Sequence, residues 1–229
     1  MNLLLLSNSR SPDGGYLDHA VELVRELAGA RRKALFLPFA GVTTTWDDYT
    51  AKVQQALAPA GLTLTGAHTV KAGAIDAYEM VIVGGGNTFQ LLQQARQRGW
   101  LHAIRRGVAA GMPYMGWSAG SNLACPTICT TNDMPIVDPG GFDALGLIDM
   151  QINPHYLNAL PAGHQGETRD QRLAEFMVVR PETKIIGLPE GDWLRIRGKQ
   201  VQLYGPFPAR LFQGGQEAVD ISVPATLAE

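Results

Sequence analysis

The chain has 229 residues, with 19 Lys and Arg against 21 Asp and Glu and a formal charge of −2 at pH 7, a balance that excludes an electrostatic nucleic-acid binder. At 45% hydrophobic and 17% charged it excludes disorder and is long enough to bury the core of one domain, taken as residues 1–229. No run approaches the roughly 20 apolar residues of a membrane span, and the start, Met1 to Ser9, lacks the basic head of a secretion signal, so a cytoplasmic protein without membrane contact is expected. Cys125 and Cys129 stand four apart with no second pair, which points to free thiols in a reducing compartment and not to a disulfide or a zinc site.

In chain order, short apolar runs alternate with helical patterns. Leu3 to Leu6, Ala34 to Leu37, Leu62 to Thr65, Met80 to Val83 and Tyr114 to Trp117 read as strands buried on both faces, since they are apolar throughout and bounded by Gly, Pro, Ser or Asn. Leu17, Ala20, Val21, Val24 and Leu27 share one face of a helix expected from about Tyr16 to Ala30. Val53 and Leu57 mark a second helix before Pro59, and Phe89, Leu92 and Ala95 a third after Gly86. Strand alternating with helix builds a doubly wound, mostly parallel α/β sheet flanked by helices, because parallel neighbours require long crossovers. Beyond Lys184 the pattern changes. Ile185 to Leu188 reads as another strand, Leu194 to Ile196 and Val201 to Tyr204 as a hairpin, and Ala209 to Phe212 with Ala218 to Ile221 as further antiparallel strands extending the same sheet.

The sharpest chemical signal is Gly116-Trp117-Ser118-Ala119-Gly120, a serine between two glycines at a strand-to-helix turn. Such an elbow strains the serine backbone and projects its hydroxyl from the carboxyl edge of the sheet; the plainer alternative is a Ser capping a helix. An elbow serine needs two oxyanion donors. The Ala119 amide is one, and Gly86, in the turn Gly84-Gly85-Gly86-Asn87 after a strand, is the candidate for the other; three glycines also suit a phosphate-cradling loop or a simple tight turn. Among the five histidines, His19, His68 and His102 fall on or beside regular elements and His164 in a Gly-rich loop, whereas His155 ends a strand-like run broken by Pro154 and is the candidate base. Asp133 and Glu190 are both placed to supply its carboxylate, and spacing does not choose between them. Outside enzymes, the Gly-rich loop on an α/β sheet also suits a nucleotide or small-molecule binding module.

These residues resemble the peptidase E family of aspartyl dipeptidases. The likeness runs from the first strand to about residue 193, through Leu3 to Ser9, Pro38 to Val42, Val83 to Leu92, Gly116 to Gly120, Thr131 to Val137, Ile152 to His155 and Gly166 to Arg169. The resemblance implies a fold like class I glutamine amidotransferases, with serine in place of their nucleophilic cysteine, and cleavage of peptides with amino-terminal aspartate without metal or other cofactor. It implies Ser118 as nucleophile, His155 as base and then acid, Gly86 and Ala119 as oxyanion donors, and Arg169 as the partner of the substrate's aspartate side chain. For the third triad member it offers both carboxylates, and Glu190 is preferred with Asp133 second. The elbow is shared with cyanophycinases, which leaves a related hydrolase of Asp-linked peptides as the alternative. The family's usual Gly-Asn-Trp stands here as Gly191-Asp192-Trp193, adding a carboxylate beside Glu190. A small peptide as substrate, no nucleic-acid or membrane partner, and a monomer or small homo-oligomer complete the expectation.

Overall fold

A computed structural model describes residues 1–10, 14–163 and 165–228. His164 and its loop assignment lie outside the described residues. The amino-terminal part alternates as expected: β1 (Asn2–Leu6), α1 (Val21–Ala28), β2 (Lys33–Leu37), α2 (Trp46–Leu57), β3 (Thr63–Gly66), β4 (Met80–Val83), α3 (Thr88–Gln97), α4 (Trp100–Ala109), β5 (Tyr114–Trp117) and α5 (Ala119–Ala124). After a long loop come β6 (Gln151–Pro154), α6 (Arg169–Val179), β7 (Lys184–Leu188), β8 (Trp193–Arg197), β9 (Gln200–Tyr204), β10 (Ala209–Gln213), β11 (Val219–Ile221) and β12 (Ala225–Ala228).

The main sheet has eight strands in the order β12-β9-β8-β1-β5-β4-β2-β3, with every neighbour from β1 to β3 parallel and β8, β9 and β12 added as antiparallel pairs at one side. Four consecutive leucines in β1 are explained by its two covered faces. Leu3 and Leu5 join a cluster with residues of α3, α4 and α5, whereas Leu4 and Leu6 join one with residues of α1 and α2. The sheet is therefore doubly wound, and crevices open at the carboxyl ends of its parallel strands.

Two expectations need correction. The first helix begins at Val21, not near Tyr16, because Leu17 adopts a left-handed φ of 62° that no α-helix accepts, and Asp18–Ala20 form a 3-10 turn instead. The carboxyl-terminal strands also do not all extend one sheet: β7, β10 and β11 combine with β6 in a second sheet of order β11-β10-β7-β6. Its strand β7 is apolar on both faces for a local reason. Ile186 and Leu188 pack toward the main core, and Ile185 packs with Phe212 and with Leu173 of α6 on the other side.

Candidate active site

Ser118 occupies the bend between β5 and α5 with φ 51° and ψ −114°, a conformation that costs a non-glycine residue on the order of 1–3 kcal/mol unless its surroundings enforce it. Here they do. The Ser118 N–H donates to the Leu6 carbonyl at 3.1 Å, and the Ser121 hydroxyl donates to the carbonyls of Leu6 at 2.7 Å and Gly116 at 3.0 Å, so the turn is stitched to the end of β1. The flanking glycines are required by contact: a Cβ on Gly120 would strike the Val83 carbonyl oxygen, and one on Gly116 the Gly120 carbonyl oxygen. The Ser118 side chain makes no capping bond to α5, which leaves its hydroxyl directed elsewhere.

That hydroxyl lies 2.9 Å from Nε2 of His155, and Nδ1 of the same ring lies 2.6 Å from Oε1 of Glu190. His155 follows β6, where its left-handed φ of 53° turns the ring back over the elbow; Glu190 follows β7. Since β6 and β7 are parallel neighbours, both side chains leave the same end of the second sheet and meet the serine of the first.

The residue that joins the two sheets was not singled out in the sequence. Ser7, fully buried at the end of β1, accepts a hydrogen bond from the His155 N–H at 2.9 Å and donates to the Leu188 carbonyl at 2.8 Å. Its own N–H donates to the Asp192 carbonyl at 3.0 Å, and Oδ1 of the neighbouring Asn8 accepts from the Gly191 N–H at 2.9 Å. Ser7 and Asn8 thus hold the segments bearing His155 and Glu190 in register with β1, which itself anchors Ser118. The available signal was two small polar residues directly after four leucines, at the carboxyl end of a strand where polar side chains are costly to bury without partners.

Asp133 lines the same cleft but is not hydrogen-bonded to His155. Its Oδ2 accepts from the Thr88 N–H at 2.7 Å, the Thr88 hydroxyl at 2.6 Å and the Thr131 hydroxyl at 3.1 Å, so it closes the amino terminus of α3. Asn87 caps the same helix by accepting from the Gln90 N–H, and its amide donates to the Met134 carbonyl. The glycine turn before it lies against the elbow: a Cβ on Gly85 would stand 3.2 Å from that of Ser118. Gly86, at φ +133°, is pressed against the Ala40 carbonyl where a side chain would not fit. Ala119 N–H is the first amide of α5, with no carbonyl of its own helix to bond. At six residues α5 carries little macrodipole, so any anion here meets discrete amides.

The cleft holds about 790 Å³, and Ser9, Tyr16, Val42, Lys52, Trp117 and Ile136 are among its walls. Arg169 is not one of them. Half-buried at the start of α6, it lines an adjoining hollow of about 280 Å³, where its Nη1 donates to Oδ1 of Asn132 and, at 3.2 Å, to Oδ1 of Asn153; Asp133 lines both spaces. Burial and the neighbouring Arg172 lower the Arg169 pKa. Asp192, 1% exposed, is held up to about 7 by desolvation, partly opposed by the Phe207 N–H bonded to its Oδ1; its Oδ2 has no partner. Both cysteines are thiols, and burial pushes that of Cys125 up to about 12.

Residues 3–204 match the model of peptidase family S51. The chain is 59% identical over 223 residues to Peptidase E of Citrobacter koseri and 58% identical to Peptidase E of Escherichia coli O1:K1, in each case covering 96% of this chain and 97% of the relative. A crystal structure of a peptidase from an acI-B1 Actinobacterium superposes with a TM-score of 0.69 at 13% identity, covering 100% of this chain and 96% of that one, which is a likeness of fold. No helix among the described residues is long and apolar enough to cross a membrane. With its elbow, glycine turn and histidine segment all inside the matched span, the chain belongs to peptidase family S51.

Proposed function

We propose that this peptidase is a serine-dependent aspartyl dipeptidase, acting as one domain on Asp-X peptides through an acyl-enzyme. One observation carries the proposal: an elbow serine at 2.9 Å from an imidazole whose other nitrogen meets a carboxylate at 2.6 Å. Ser118 gives its proton to Nε2 of His155 and attacks the peptide carbonyl carbon. The tetrahedral oxyanion rests on the amides of Gly86 and Ala119, donors whose removal typically costs on the order of a hundredfold or more each. Collapse breaks the C–N bond, with the Nε2 proton passing to the leaving amine. Water then attacks the ester carbonyl carbon and gives a proton to Nε2, which passes it to Ser118 Oγ as the acyl C–O bond breaks and aspartate leaves. Glu190 fixes the His155 tautomer and supports the imidazolium. Asp133 holds the loop that carries Gly86 and Asn87.

Selectivity for aspartate is assigned to Arg169, reached past Asn132 and Asp133. A guanidinium clamps a carboxylate through paired charge-assisted bonds, and a neutral side chain leaves it unpaired. The resemblance of Gly166 to Arg169 to the peptidase E family supports that role. The test is a panel of Asp-X, Glu-X, Asn-X and β-linked Asp-Arg peptides, with and without chelator, on wild type, Ser118→Ala and Arg169→Ala. Cleavage that strongly favours α-Asp substrates, is abolished in Ser118→Ala and is lost preferentially for Asp-X over the residual Asn-X rate in Arg169→Ala is expected. Undiminished turnover in Ser118→Ala ends the serine mechanism, and equal losses for Asp-X and Asn-X clear Arg169.

A further inference from the structure

The main sheet divides the cleft. Asp133 and, in the adjoining hollow, Arg169 lie on the face covered by α3, α5 and the second sheet, whereas Tyr16, Tyr49 and Lys52 belong to the face covered by α1 and α2. Ser118 stands at the sheet edge between them. A substrate whose acyl residue points toward Arg169 sends its leaving residue across that edge, toward α2. There Lys52 is the one cation among the described residues lining the cleft. Its ammonium sits 4.2 Å from the centre of the Tyr16 ring, which in turn packs edge-on, 6.4 Å between centroids, against Trp117, the residue before Ser118. Burial pushes the Tyr16 hydroxyl up to about 12, so the ring beneath Lys52 is a neutral phenol at working pH and not a competing anion. Among the described residues no carboxylate forms an ion pair with Lys52.

We propose that Lys52 receives the free carboxylate of the leaving amino acid and so restricts the enzyme to dipeptides. The inference rests on the aspartyl-peptidase reading above and adds the chemistry of its second subsite. In an Asp-X dipeptide the carboxylate lies one carbon beyond the nitrogen released; in a longer or amidated peptide that position is a neutral amide. A flexible ammonium steadied on an aromatic face suits a carboxylate whose direction varies with the second residue.

The test compares kcat/KM for Asp-Leu and Asp-leucinamide, which differ only in that charge, in wild type, Lys52→Met and Lys52→Arg, with an Asp-anilide measuring any general loss. Lys52 is exposed on α2 and Met is a good helix former, so the variants are expected to fold, checked by thermal melts. Wild type is expected to prefer the acid by about tenfold or more, mainly through KM. In Lys52→Met the ratio falls to near one, and Lys52→Arg restores most of it. A wild-type ratio near one, or a preference that survives in Lys52→Met, overturns the proposal while leaving the peptidase intact. No cleavage of any of the three substrates overturns the reading beneath it.

Discussion

Replacing Glu190 by Gln, set against Asp133 by Asn, separates the two carboxylates that the sequence leaves open. The Glu190 side chain is 58% exposed and that of His155 38%, so their 2.6 Å contact contributes at most about 1 kcal/mol to stability. Its effect on turnover is larger. A Gln can present its NH2 group to Nδ1, which forces the proton onto Nε2 and leaves Ser118 without an acceptor. In a buried triad the corresponding change costs about ten-thousandfold. Solvent reaches both partners here and water replaces part of the lost support, so a drop in kcat of about 100- to 1,000-fold is expected, with KM little moved. Asp133→Asn keeps a carbonyl oxygen for the three donors at Thr88 and Thr131 and loses only the charge at the start of α3, about 0.3–1 kcal/mol, with a fall in turnover of about threefold at most. Initial rates on an Asp-anilide and thermal melts of both variants decide it. Near-normal turnover in Glu190→Gln with a hundredfold loss in Asp133→Asn would refute the assignment of Glu190.

Ser7→Ala removes the acceptor of the His155 N–H and the donor to Leu188 in a fully buried position, at about 1–3 kcal/mol per orphaned group. A lower Tm and a fall in kcat of about tenfold or more, with KM held, are expected by calorimetry and steady-state rates; a kcat unchanged in folded protein would show that β1 does not position the imidazole. Asp192 gives a pH dependence. Its folded pKa, about 7, is raised above the ordinary 3.8, so the native state binds the extra proton, and stability declines as pH rises between these values and stays low above 7. Asp192→Asn removes that decline and should raise Tm at pH 8 more than at pH 4; melts showing equal shifts at both would contradict it.

The doubly wound core was legible because β1, β2, β4 and β5 are apolar on both faces and alternate with helical patterns, which together fit a covered parallel sheet. The elbow was legible for a related reason: the contacts of Gly116 and Gly120 admit no side chain, so the bend is written in the residues that flank it. The split of the carboxyl-terminal strands was not. Whether β7 joins β8 or β6 depends on pairing with residues 34 positions earlier, and no local period records that partner. The same limit hid Ser7, whose bonds reach 148 and 181 residues along the chain, and left Glu190 and Asp133 unranked by spacing alone. Leu17 misled in a different way, since its apolar position fits the helix face while its backbone does not fit the helix.

In the proposed mechanism His155 makes the Ser118 hydroxyl nucleophilic. Fluorophosphonate labelling of the native protein followed by peptide mapping tests it most directly. One adduct is predicted, on Ser118, absent in Ser118→Ala and slowed by at least about a hundredfold in His155→Ala. An adduct elsewhere, or labelling of Ser118 at the same rate without the imidazole, would overturn that mechanism.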